Sequence, residues 1–110
     1  AALFTSMRAD EDDMARAMRW ACEDCAEIVD PHTAIGLHAA RHAELAGDTP
    51  VVTLATAHPA KFPAAVEDAS GVHPPLPPRM ADLYERSERV TRIANDLGTI
   101  EDHIRKHIAN

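Results

Sequence analysis

Pro50 to Phe62 reads PVVTLATAHPAKF, and its reading decides the fold. Val51, Val52, Leu54 and Ala55 form an apolar run with only Thr53 inside it. A short run of this kind, rich in β-branched residues, reads as a strand buried on both faces, the kind found in parallel α/β sheets. The boundaries are Gly47 before it and Pro59 after it, which predicts a parallel strand over about 51–57. Thr56, His58 and Lys61 then arrive within six residues. Open α/β sheets hold their ligands at the carboxyl ends of the strands, so the polar groups fall where such a sheet would present them.

Working backward, Asp30-Pro31 opens a helix. Asp30 suits the N-cap, and proline at the first helical position sacrifices no hydrogen bond. Ala34, Ile35, Leu37, Ala39, Ala40 and Ala43 give it a broad small-residue surface, and Gly47 is the expected stop. Helix, turn and strand make half of a crossover unit. Before this helix lies another. Asp10 is its expected cap, followed by Glu11, Asp12 and Asp13 where the helix dipole favours negative charge. Met14, Met18, Ala21, Cys25 and Ile28 recur at helical spacing and form the expected buried stripe, with Pro31 as the terminator. Trp20 lies off that stripe.

Working forward, Pro63 opens a short helix that Gly71 ends. His73 to Pro78 is a proline-rich connector, stiff and extended. Met80, Leu83 and Tyr84 suggest a further helix. Val90, Thr91 and Ile93 favour a short strand near 89–94, although the surrounding charges tolerate a helix. Asp96 caps the last helix, whose Leu97, Ile100, Ile104 and Ile108 share one face.

Two stretches carry a resemblance. DPHTAIG, Asp30 to Gly36, and ATAHPAKF, Ala55 to Phe62, are similar to the C-terminal part of threonine synthases. These are pyridoxal-phosphate-dependent enzymes of the tryptophan-synthase-β-like fold (fold type II). The resemblance runs from about Phe4 to the end and weakens after Gly71. It implies that residues 1–110 are the C-terminal segment of a larger enzyme, converting O-phosphohomoserine and water to threonine and phosphate. It also implies that the Schiff-base lysine lies upstream, so no catalytic residue is expected in this segment. Its partners would be that substrate and the N-terminal part of the same protein.

The resemblance assigns Thr56 to the pyridine nitrogen of the cofactor. A neutral hydroxyl there does not force protonation of the nitrogen, and the ring stays a milder electron sink. The plainer reading is a strand threonine bonded to backbone. Lys61 and His58 are candidates for substrate binding, Lys61 as a point charge for the substrate phosphate. A solvated lysine and a histidine that caps the strand end are the plainer readings. Asp30 reads as a cap. His32 and Thr33 stand at the same helix N-terminus, where anions are favoured.

Composition narrows the alternatives. A net charge of −7 argues against nucleic acid and anionic membranes as partners. No apolar run reaches the length of a membrane span, and the N-terminus has no signal-peptide pattern. A cytosolic setting is expected, and a start at Ala1 fits a fragment. Aromatic residues are 4 % of the chain, so a core of small aliphatics is expected. A lone parallel strand leaves its backbone groups unpaired, which again points to a piece of something larger. Cys22 and Cys25 form a CxxC in mid-helix without a second pair, and Cys25 reads as core. His38/His42 and His103/His107 are i, i+4 pairs without the intervening glutamate of a metalloprotease helix, so they read as solvated faces and no metal is expected. Two alternatives remain in the sequence: a stand-alone acidic helical module that binds a protein partner, or a segment of a related pyridoxal-phosphate-dependent dehydratase.

Overall fold

The computed structural model describes residues 4–108. It divides into two units, Ala1–Arg79 and Met80–Asn110.

The first unit is built on helix α1, Glu11–Cys25, which packs against both α2, Pro31–His42, and α3, Pro63–Ser70. Helix α1 starts with a reciprocal capping box. The Asp13 N–H donates to Asp10 Oδ1 at 2.9 Å, and the Asp10 N–H donates to Asp13 Oδ2 at 3.1 Å. The bond from the Asp10 backbone, with Arg16 at 2.5 Å, holds the Asp13 carboxyl below its ordinary range. The helix ends at Cys25, well short of Pro31. Ala26 turns into the left-handed region at φ 56°, and the Glu27 N–H closes back on the Ala21 carbonyl at 2.9 Å. That early turn lets Ile28 and Val29 fold back against the core instead of extending the helix.

The core is small. Ala17, Met18, Ala34, Val66 and Ala69 are buried together, with Met14 and Phe62 packed against them. The stripe read from the sequence is therefore correct for Met14, Met18 and Ala21. It fails at Cys25, which is exposed because the helix stops there. Helix α3 begins at Pro63 and ends at Gly71, whose φ of 74° suits the one residue type without a Cβ.

Helix α2 also stops early. His42 is its last residue and Ala43 leaves helical geometry at ψ 125°, while Gly47 sits in the following turn. The four-residue difference has a local cause: Ala43 to Ala46 provide no packing that would hold a further helical turn, being exposed throughout.

Residues 51–56 run without regular secondary structure, and no strand forms among the described residues. The expected burial is absent as well: Val52 is 83 % exposed and Leu54 75 %. The segment has no neighbouring strand here to take up its N–H and C=O groups, which a sheet strand requires. Its inner side is nevertheless seated on α2. A Cβ at Gly36 would come within 2.9 Å of Thr53 Cγ2, so the glycine permits a close approach at that point.

The stretch expected as a helix around Met80 to Tyr84 forms two isolated 3-10 turns with no buried residue, Pro78–Met80 across the boundary of the units in the sequence and Leu83–Glu85 within the second. Residues 89–94 form no strand and are exposed. The last helix, α4, is Leu97–Ile108. Asp96 caps it by accepting from the Thr99 N–H and the Thr99 hydroxyl, each at 2.9 Å. Its apolar face remains open, with Leu97 72 % and Ile108 79 % exposed. Among the described residues, no helix is long and apolar enough to cross a membrane.

Candidate functional site

The site is organised by Asp30, a fully buried carboxylate at the start of α2. Oδ2 accepts from the His32 N–H at 3.0 Å and from the His32 ring Nδ1 at 3.0 Å. Oδ1 accepts from the Thr33 N–H at 3.3 Å and from the Thr33 hydroxyl. Burial pushes the Asp30 carboxyl up, but the bonds from the Thr33 hydroxyl, the His32 ring and the two backbone N–H groups outweigh it, and the net effect is a pKa below the ordinary value. Asp30 is therefore ionised at neutral pH and can only accept.

Two proton positions follow. His32 must carry a hydrogen on Nδ1, so in the neutral ring Nε2 is the free acceptor. The single Thr33 hydroxyl hydrogen is directed at Asp30, so the oxygen faces its other neighbour as an acceptor. That neighbour is the Thr56 backbone N–H, at 3.1 Å. Asp30, Thr33 and Thr56 thus form one directed chain of hydrogen bonds, joining the DPHTAIG stretch to the ATAHPAKF stretch.

The geometry also sets direction. Thr33 meets Thr56 and Gly36 meets Thr53, so the extended segment runs antiparallel to α2. That is how a helix and the strand after it lie in a crossover unit. The Thr56 hydroxyl is left without a protein partner among the described residues, and the residue is exposed.

His58 takes the capping role. Its Nδ1 accepts from the Ala60 N–H at 3.2 Å and caps the 3-10 turn Pro59–Lys61. Accepting at Nδ1 places the ring hydrogen on Nε2, opposite to His32. Lys61 is exposed at the end of that turn, with Nζ 5.9 Å from the centre of the Phe62 ring. Phe62 in turn lies 5.0 Å from the His32 ring, at 56°. Lys61, Phe62 and His32 thus form one neighbourhood and Asp30, Thr33 and Thr56 another, joined through the Asp30–His32 bond. No hydrogen bond or ion pair links Thr56 to His58 or Lys61 among the described residues.

The remaining pairs take structural positions. His42 Nδ1 lies 2.8 Å from the His38 carbonyl, and His107 Nδ1 2.8 Å from the His103 carbonyl, so one imidazole of each pair is committed to backbone. No group of three or more metal-ligating side chains occurs among the described residues. Cys22 and Cys25 are both free thiols. Trp20 carries the Arg41 guanidinium over its ring at 4.0 Å.

A family model described as "Threonine synthase, C-terminal" matches residues 33–104, well over half of the chain. The chain belongs to the threonine synthase family. A threonine synthase of Pseudomonas aeruginosa is 42 % identical over 106 residues, covering 96 % of this chain and 23 % of that protein. One from Corynebacterium glutamicum is 36 % identical over 83 residues, 76 % of this chain and 17 % of that protein. The crystal structure of pyridoxal-phosphate-bound threonine synthase from Brucella melitensis matches with a TM-score of 0.74 and 42 % identity, over 88 % of this chain and 21 % of that one. The chain therefore spans about a quarter or less of the length of these threonine synthases.

The Thr33–Thr56 link had no direct signal in the sequence. Thr33 at the third helical position behind an Asp cap is the one hint, since a side chain there can turn back to the cap residue.

Proposed function

We propose that this chain is the C-terminal segment of a pyridoxal-phosphate-dependent threonine synthase of fold type II, which makes threonine and phosphate from O-phosphohomoserine and water in the cytosol. The observation that carries this reading is its likeness, at 42 % identity and a TM-score of 0.74, to a threonine synthase with that cofactor bound. In the whole protein, residues 51–57 become a parallel strand, 89–94 a short second strand, and 73–78 the connector between the parts. The strand partners come from the rest of the polypeptide, which also supplies the Schiff-base lysine. Val52 and Leu54, exposed here, then lie between neighbouring elements. Burying each such side chain contributes about 1.5–3 kcal/mol.

The residues fit the cofactor in one respect that this chain can supply. Thr56 ends the extended segment with its N–H tied down and its hydroxyl open, the donor or acceptor a pyridine nitrogen needs. When bound, pyridoxal phosphate supplies an electron sink for charge that develops on the substrate carbon. Thr56 holds the ring nitrogen in place. Lys61 and His58 sit beyond it as cationic and N–H donor groups for the substrate phosphate, with His58 offering Nε2–H.

The test is an assay of the full-length protein for phosphate release from O-phosphohomoserine, with and without pyridoxal phosphate. Cofactor-dependent formation of threonine and phosphate in equal amounts is expected. Cofactor-bound protein that turns over hydroxy-amino acids but leaves O-phosphohomoserine untouched would refute the assignment.

A further inference from the structure

We infer that Asp30, acting through the Thr33 hydroxyl, is a positioning residue for Thr56: the pair fixes the Thr56 backbone, and with it the place where the Thr56 hydroxyl meets the cofactor. The inference rests on the reading of Thr56 as the ring-nitrogen contact.

Three observations carry it. Asp30 is fully buried and Thr33 is 6 % exposed, so the bond between them is shielded from bulk water, and the Thr33 oxygen that meets the Thr56 N–H is set from the buried side. The Thr33 hydroxyl has one hydrogen, and Asp30 takes it, so the oxygen is held as an acceptor toward Thr56. A free threonine rotor could point its hydrogen at the Thr56 N–H and repel it; the carboxylate removes that arrangement. Finally, among the described residues no other hydrogen bond ties the 50–57 segment to a helix. The close approach of Thr53 to Gly36 is apolar and restrains distance but not the orientation of a peptide plane.

The consequence is geometric. The Thr56 Cα–Cβ direction follows from its backbone torsions, and the N–H bond restrains them. Misplacing a reacting or positioning group by about 1 Å can cost about a hundredfold in rate. Losing one neutral hydrogen bond that sets orientation is a smaller perturbation, and about tenfold in turnover is expected.

The experiment uses the full-length enzyme with pyridoxal phosphate bound. Thr33→Val, Thr33→Ser and the reference variant Thr56→Val are compared by the absorption spectrum of the bound cofactor across pH, by kcat and KM for O-phosphohomoserine, and by amide exchange at Thr56 in the cofactor-free form. Thr33→Val is expected to shift the cofactor band in the same direction as Thr56→Val. It should lower kcat about tenfold with KM changed less than about twofold, and speed exchange at Thr56. Thr33→Ser, which keeps the hydroxyl, should restore all three. A parent-like spectrum and kcat in Thr33→Val, while Thr56→Val alters both, overturns the inference and leaves the reading of Thr56 standing. Parent-like values in both variants overturn the two together. Should Thr33→Val fail to fold, Asp30→Asn reads the same link, because an amide can cap α2 yet need not hold the hydroxyl hydrogen on one side. A shifted spectrum and a reduced kcat support the inference, and parent values for both overturn it.

Discussion

Replacing Asp30 by alanine removes the acceptor of four hydrogen bonds at once: two backbone N–H groups, the Thr33 hydroxyl and the His32 ring. Loss of an Asp N-cap costs about 0.5–2 kcal/mol. Leaving the buried Thr33 hydroxyl without its acceptor costs about 1–3 kcal/mol more. His32 is 60 % exposed at its side chain and re-forms its bond with water, so it adds little. The expected sum is about 1.5–5 kcal/mol. Amide exchange reads this locally, because the affected N–H groups belong to His32, Thr33 and Thr56. Exchange there should accelerate about ten- to several-thousandfold, at about 1.4 kcal/mol per factor of ten. The amides of Asp10 and Asp13, in the α1 capping box, should move far less. If the Thr33 and Thr56 amides keep parent rates in Asp30→Ala, the hub assigned to Asp30 does not exist. The pH dependence has a definite sign. The folded pKa of Asp30 lies below its ordinary value of 3.8, so its contribution is full above that value and is lost as pH falls through the folded one. Protection at these amides should therefore decline below about pH 4 in the parent and not in Asp30→Asn.

Further expectations follow from single contacts. Gly36→Ala gains about 1 kcal/mol of helix propensity but places a Cβ 2.9 Å from Thr53 Cγ2; with the segment pinned in the whole protein the clash should win, lowering Tm, and a raised Tm would contradict the close approach. Ala26→Gly relieves a left-handed residue at φ 56° and should stabilise by up to about 1 kcal/mol in denaturant melts; a loss of stability would show that the turn is not strained. Borohydride reduction of the full-length cofactor-bound enzyme should leave the Lys61 peptide unlabelled, and a label there would move the Schiff base onto this segment.

The helix starts were legible because each is written locally. Asp10, Asp30 and Asp96 announce their caps, Pro31 and Pro63 their first turns, and all these were found where the sequence put them. Helix ends were legible only for α3, which Gly71 stops as its sequence announces. Ala26 takes a conformation that its side chain does not advertise, and α2 stops at His42 for want of packing rather than at a glycine. The apolar run at 51–55 was legible as a distinct segment, but the strand expected there does not form among the described residues, which hold no strand for it to pair with. The same holds for 89–94. Within the site, His58 as a cap could be anticipated from its place before Pro59. The directed Asp30–Thr33–Thr56 chain could not, since it depends on which way one hydroxyl hydrogen points between residues 23 apart.

The central claim is that Thr56 presents its hydroxyl to the cofactor ring. Thr56→Val in the full-length enzyme tests it most directly, because the change keeps the side-chain shape and the backbone bond to Thr33 while deleting the hydroxyl. Cofactor affinity and turnover with O-phosphohomoserine are measured together. A neutral hydrogen bond contributes about 0.5–1.5 kcal/mol, so affinity should fall by about two- to tenfold, and turnover should fall further because charge accumulates on the ring during reaction. If affinity and turnover both equal those of the parent, Thr56 is an ordinary threonine on an extended segment and the site assignment is wrong.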